Sequence, residues 1–407
     1  MSRLSKTLGV SATSLFVSVR GISSVLALGL ALSYTKILGI EKRSLLAFIM
    51  VSALILTIVL TSGFSLALRN KPKSQIKDEE FIGYFLLLTI SSLVAGSMNC
   101  LLLSVYSNTI GQIPAQIYIV CFVYSTLACA NLGFQDALLA AGSLRIATVF
   151  DLITILIQVV TLIFFMSIEQ TSLMISVFIS FIFSYALIIF GSLAIFFNSL
   201  EIKRSLMISG MRSILSQSRE KHIYGIASGL VDRVDRFLIG LILPVTYLAK
   251  YALLSSIISF ARFLPDSAAK INLFKHHQGD SAQGFTYTAR RVGFICFSGI
   301  FLVAASQGFI FIVFGDEWLL PVSVAFMFVC QEILRGNYQI NAMKLVAIGG
   351  TNAMSRISRA LIFLSLSLIS IGIYLIGIWG APLAMILVYV YLNRLIGNEL
   401  RKISNAD

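Results

Sequence analysis

The chain has 407 residues, 57% of them hydrophobic and only 12% charged, with a mean hydropathy of +0.91. Soluble domains run nearer about 25% charged and about 45–50% apolar, so a soluble fold is excluded: it would need a large dry core with almost no polar surface. The formal net charge of +13 is not a nucleic-acid footprint either, because Lys and Arg fall in the short breaks between apolar runs, and no nucleic-acid partner is expected.

A membrane-crossing helix needs roughly 20 predominantly apolar residues, and the chain offers about twelve such runs. They lie near 12–34, 44–68, 81–105, 114–136, 145–167, 172–196, 223–243, 250–270, 290–313, 320–343, 356–376 and 380–396. Met1 to Gly9 looks like the start of a signal sequence. The run behind it is long, contains Arg20 and is followed by further spans, so it reads as an uncleaved first helix. The longest polar interruption, 198–222, divides the runs into two groups of six. The expected fold is therefore an all-α polytopic membrane protein with an N-terminal bundle at 1–197, a cytoplasmic connection at 198–222 and a C-terminal bundle at 223–407. Within the connection, Leu206 to Ser218 has the pattern of a short interfacial amphipathic helix.

Loop charge sets the orientation. With the N-terminus inside, the cytoplasmic side receives Arg69, Lys71, Lys73, Lys77, Lys203, Arg204, Arg212, Arg219 and Lys221. Lys270, Lys275, Arg290, Arg291, Lys344, Arg356, Arg359, Arg401 and Lys402 follow, while the other side receives only Lys36, Lys42, Arg43 and Lys250. That bias places both termini in the cytoplasm, and Trp318 and Trp379 then fall in outer loops, where interfacial rings belong. Cys100, Cys121, Cys129, Cys296 and Cys330 lie in or beside apolar runs with no CxxC, and His222, His276 and His277 lie in loop-like stretches. No metal site is expected.

Polar residues collect on single helix faces, since positions three, four or seven apart share a face. Thr13, Arg20 and Ser24 do so in the first run, Tyr124, Asn131 and Gln135 in the fourth, and Asp151 and Gln158 in the fifth. Arg262 and Asp266 share a face in the eighth, and Glu332, Arg335 and Gln339 in the tenth. Hydrocarbon facing such stripes would be costly, so they converge on an interior path or bond helix to helix. Arg20 stands roughly 12 Å into its run, deep for an arginine that snorkels to the interface. Asp232, Arg233, Asp235 and Arg236 enter the 223–243 run together. These four cannot all point one way, so local ion pairing competes with a cavity role. Arg20, Arg233, Arg236, Arg262 and Arg335 are the candidate cationic cavity residues. Asp151, Glu332 and Asp235 are the candidates for coupling to H+ or Na+, and Thr13, Ser24, Tyr124, Asn131, Gln135, Gln158 and Gln339 are candidate cavity lining.

No GxxxxGK[ST] loop supports nucleotide hydrolysis, and no G-x-S-x-G or H-E-x-x-H run supports a hydrolase, so the chain reads as a transporter without a cofactor rather than an enzyme. Four stretches carry a family resemblance. Asp235-Arg236-Phe237-Leu238-Ile239-Gly240, followed by Leu248-Ala249-Lys250-Tyr251, resembles the opening of the second half of the Wzx-type polysaccharide flippases. Alanine stands at 249 where that pattern has glycine. Lys36 to Glu41 resembles the family's first outer turn, Gly63 to Arg69 the end of its second helix, and Gly377 to Ala384 the turn between its last two helices.

The resemblance implies a MATE-like architecture of two six-helix bundles in the bacterial inner membrane. It implies flipping of an undecaprenyl-diphosphate-linked O-antigen or similar repeat unit from the cytoplasmic to the periplasmic leaflet. It also implies alternating access coupled to H+ or Na+ counterflow. The implied partners are that glycan lipid, membrane lipids, an O-antigen polymerase and a chain-length regulator, with a monomer as the working unit. Alternatives within the same outline are a MATE-like exporter of organic cations, a lipid II or phospholipid flippase, and a scaffold for glycan assembly that transports nothing.

Overall fold

The computed structural model describes residues 12–69, 71, 76–167, 172–197, 204–258, 303, 305–347 and 350–404. Among them every regular element is helical, and the protein is an all-α polytopic membrane protein. The helices are α1 (Ala12–Arg69), α2 (Asp78–Ile110), α3 (Ala115–Ala140), α4 (Leu144–Met166), α5 (Leu173–Phe197) and α6 (Arg204–Leu230). They continue as α7 (Val234–Ile242), α8 (Val245–Ile258), α9 (Ala305–Phe314), α10 (Val322–Ala347), α11 (Thr351–Ile376) and α12 (Gly380–Ser404).

α1 holds the first two predicted spans, separated by a break at Gly39 with φ 70° and ψ 177°. A side chain at that φ would be strained, so glycine lets the chain reverse there without a loop. α4 and α5 match the predicted 145–167 and 172–196 to within a residue at each end. Their sequences are apolar almost throughout, which length and hydropathy read well.

The region around 198–243 differs from expectation. The helix expected at 206–218 and the first part of the span expected at 223–243 form one continuous helix, α6. It packs along α1 and α2 of the first bundle and reaches α11 of the second. The approach to α2 is close enough that a Cβ at Gly210 would overlap the Glu79 carbonyl oxygen. Buried Glu80 fastens the same contact: it accepts from Lys71 (2.6 Å), Ser213 (2.9 Å) and Gln217 (3.1 Å).

The predicted 223–243 span is then interrupted after Leu230. Val231 to Arg233 turn, and α7 begins at Val234 as a separate nine-residue helix. It ends where Leu243 goes extended (φ −100°, ψ 161°) before Pro244, whose ring disfavours α conformation in its predecessor. Asp232 and Arg233 therefore occupy a helix break and not a regular turn. Apolar counting cannot see such a break, because the bonds that favour it come from α10.

Candidate functional site

Two clusters of buried charge meet the break. The first is built on Arg335 of α10, a residue 5% exposed. Its guanidinium forks onto the Asp232 carboxylate, with Nε to Oδ1 at 2.5 Å and Nη2 to Oδ2 at 2.6 Å. Glu332, one turn away on the same helix, stands 3.9 Å from Nη1. Bidentate geometry is the strong form of this contact, and burial requires it, because a lone charge there would be desolvated without return. The expected Glu332–Arg335 intrahelical pair is thus present but secondary. The main partner comes from the break, and two carboxylates surround one arginine.

Beside this cluster lies a cavity of about 140 Å³ walled by Tyr224, Asp232, Arg335, Tyr338, Gln339 and Tyr389, among others. The Tyr338 hydroxyl and Gln339 Oε1 are buried there with no hydrogen-bond partner among the described residues. Those groups can bond a polar guest.

The second cluster sits where α7 and α8 meet the two arms of α1. Asp235, 2% exposed, accepts from the Tyr251 hydroxyl at 2.8 Å and from the Arg236 backbone N–H at 2.8 Å. Both carboxylate oxygens are occupied by neutral donors. Arg236 Nε is buried without a partner among the described residues. Its charge lies within electrostatic reach of Arg43, which is 6% exposed and donates from Nε to Thr35 Oγ1 at 3.0 Å. Neither arginine forms a salt bridge among the described residues.

The two halves of the chain touch at this point. Ser44 donates to the Val245 carbonyl at 2.7 Å and stands 3.2 Å from the Tyr106 hydroxyl. Phe48 stacks on Tyr106 with centroids 3.9 Å apart and on Phe237 at 5.8 Å.

Arg43 is the residue that sequence reasoning missed. It reads as an outer-loop charge that helps set orientation, yet the structure buries it. The available signal was the shortness of the turn at Gly39, which leaves no loop to carry the side chain out.

The other expected residues divide. The side chains of Thr13 and Arg20 and the whole of Arg262 lie outside the described residues. Ser24 is half-buried on α1 and Asp151 half-buried on α4, and both interact with other groups. Arg233, at the cap of α7, is half-buried and likewise engaged. Gln158 is used between helices, donating to Ser184 of α5 at 3.2 Å. Tyr124 is buried at 1% exposure, edge-on to Phe178 and Phe181, in the core of the first bundle. Asn131 is buried with Oδ1 unpaired among the described residues, and Gln135 is half-buried. Asp136 beside it pairs with Arg69 at 2.9 Å. Of the N-terminal stripe residues, Tyr124 and Gln158 thus pack or bond between helices, and the charge at the α6–α7 break, with Arg43, is what the described fold gathers.

No protein-family profile matches the sequence, and no curated protein matches it. Solved structures do match in fold. The lipid II flippase MurJ in an inward closed conformation aligns at TM-score 0.69 and 13% identity, over 95% of this chain and 87% of that one. The MATE multidrug transporter DinF-BH aligns at TM-score 0.66 and 13% identity, over 96% and 97%. The eukaryotic MATE transporter AtDTX14 aligns at 0.64 and 14%, over 95% and 93%. The fold is shared with these structures. At such identities the likeness concerns architecture alone, the MATE-like helical fold that the family resemblance implied and whose polytopic helical character the apolar runs predicted.

Proposed function

We propose that this chain flips an undecaprenyl-diphosphate-linked oligosaccharide, an O-antigen or similar repeat unit, from the cytoplasmic to the periplasmic leaflet of a bacterial inner membrane. The observation that carries the reading is the pair Arg43 and Arg236. Buried Arg43 and half-buried Arg236, from opposite halves of the chain, lie within electrostatic reach of each other, and neither guanidinium forms a salt bridge among the described residues. Such a pair suits an anionic guest, and guanidinium groups match diphosphate oxygens by charge and by fork geometry. Movement is by alternating access of the two bundles, with H+ or Na+ as the coupling ion. Asp232, Glu332, Asp235 and Asp151 are the carboxylates from which a coupling site would be drawn.

A second reading has its own support. Around Arg335 the carboxylates outnumber the cation, and tyrosines line the adjoining cavity. That composition suits an organic cation, as in a MATE-like antiporter. The test is transport by the native protein in vesicles with either undecaprenyl-diphosphate-linked glycan or a fluorescent organic cation. Glycan flipping that Arg43→Gln and Arg236→Gln each abolish, with the fold intact, supports the first reading. Export of the cation without glycan movement overturns it in favour of the second. Movement of neither, by folded protein, favours a scaffold role, and preference for lipid II over the oligosaccharide would reassign the cargo.

A further inference from the structure

The first bundle carries a binding site that the charge clusters do not explain. A groove of about 440 Å³ lies between α2 and α5, with α3 as its back wall. Ile82, Phe85, Leu93, Ala130, Leu193 and Met207 mark its extent. That volume falls within the range of about 300–1,000 Å³ usual for ligand sites. Among the described residues no charged side chain lines it, and the polar lining groups are the hydroxyls of Thr89, Ser92 and Thr126. A guest in it must be apolar along its length, with any charged end outside.

Position narrows the guest further. From Ile82 to Leu93 the groove climbs about 16 Å along α2, close to the roughly 15 Å of half a hydrocarbon core. It starts at the end of α2 that the Lys and Arg distribution places on the cytoplasmic side. At that end Phe85 and Phe196 pack across the gap with centroids 5.0 Å apart, so the opening is lateral. Leu93, in its lining, is itself exposed, and the two flanking helices carry further exposed apolar side chains, Ile90 on α2 and Leu187 and Phe190 on α5, so the groove lies between outwardly apolar helices. The geometry points to a slot for one acyl chain of a cytoplasmic-leaflet phospholipid, inserted sideways from the bilayer and running one leaflet deep. This assignment is independent of the cargo.

Native mass spectrometry of the full-length protein, purified in mild detergent and washed, tests it. The native chain retains about one phospholipid. Ala130→Trp, which fills the groove from its back wall, lowers that retention about tenfold because overpacking displaces the guest. Leu101→Trp, on an outward position of α2 that is 68% exposed, leaves it unchanged. Ala130→Val gives a smaller loss and serves if the tryptophan variant does not fold, as judged by helical content. Equal retention in folded Ala130 variants and native protein would overturn the site. Retention of undecaprenyl phosphate but no phospholipid would overturn the assigned guest.

Discussion

Arg335 and Arg236 are both arginines beside the break between α6 and α7, yet their surroundings are opposite. Arg335 is held by a bidentate carboxylate with a second carboxylate nearby, whereas Arg236 has a buried, unpaired Nε among the described residues and faces another arginine. A satisfied buried charge holds structure, and an unsatisfied one is poised for something that arrives. Under the proposed function, the contrast gives Arg335 to the architecture of the break and Arg236 to the cargo path.

The largest effect should come from breaking the satisfied side. Asp232→Ala leaves Arg335 buried with its main partner gone, and removal of one partner of a buried pair costs about 3–5 kcal/mol. Thermal unfolding in detergent should show a strong drop for Asp232→Ala. The double variant Asp232→Ala/Arg335→Met should recover part of it, because the desolvated guanidinium is gone and only Glu332 has lost its arginine. If the double variant were as unstable as the single one, the pair would not be what organises the break.

On the unsatisfied side the expectation is reversed. Arg236→Gln should leave thermal stability close to native or slightly raised, since it removes repulsion with Arg43. Glycan flipping should fall by about 10- to 100-fold, the loss of a charge-assisted contact worth about 1.5–3 kcal/mol. A variant that flips normally would make Arg236 a structural residue like its neighbour.

The same contrast shows how much was legible in the sequence. Helix content, the two-bundle outline and spans such as α4 and α5 follow from apolar run length, which needs no tertiary information. The charged cluster at 232–236 was visible as an anomaly, but its division into paired and unpaired members was not. Asp232 pairs with a residue 103 positions away, and only the folded chain selects that partner. Tyr124 and Gln158 looked like cavity lining because polarity on a helix face does not say whether the face meets a path or another helix. Arg43 was hidden by the opposite error, that a charge beside a turn is taken to be in solvent.

Asp235 stands next to Arg236, and a smaller change there tests whether it belongs to structure or path. Tyr251→Phe removes the hydroxyl that donates to Asp235 Oδ2, a loss of about 1–3 kcal/mol if that bond is structural. If Asp235 instead turned to pair with Arg236, stability would stay near native and flipping would fall, because the unpaired cation would be consumed. Measuring both on one preparation separates the outcomes.

The smallest effect expected is on pH dependence, through His222 in the segment ahead of the predicted 223–243 span. Its ring lies against Gly63 of α1, and burial lowers its pKa below the usual 6.5. A lowered native pKa means that the unfolded chain takes up the proton first as pH falls. His222 therefore contributes fully above about 6.5, and its contribution declines as pH drops from there through the native value, with no further slope below it. The midpoint of thermal unfolding should fall on acidification from neutral pH, and His222→Gln should flatten that slope without altering the response of Asp232→Ala. A wild-type slope that survived the substitution would place the titrating group elsewhere. The buried carboxylates at the break would then be the first to examine, because a sloping Asp232–Arg335 pair would no longer count as purely structural.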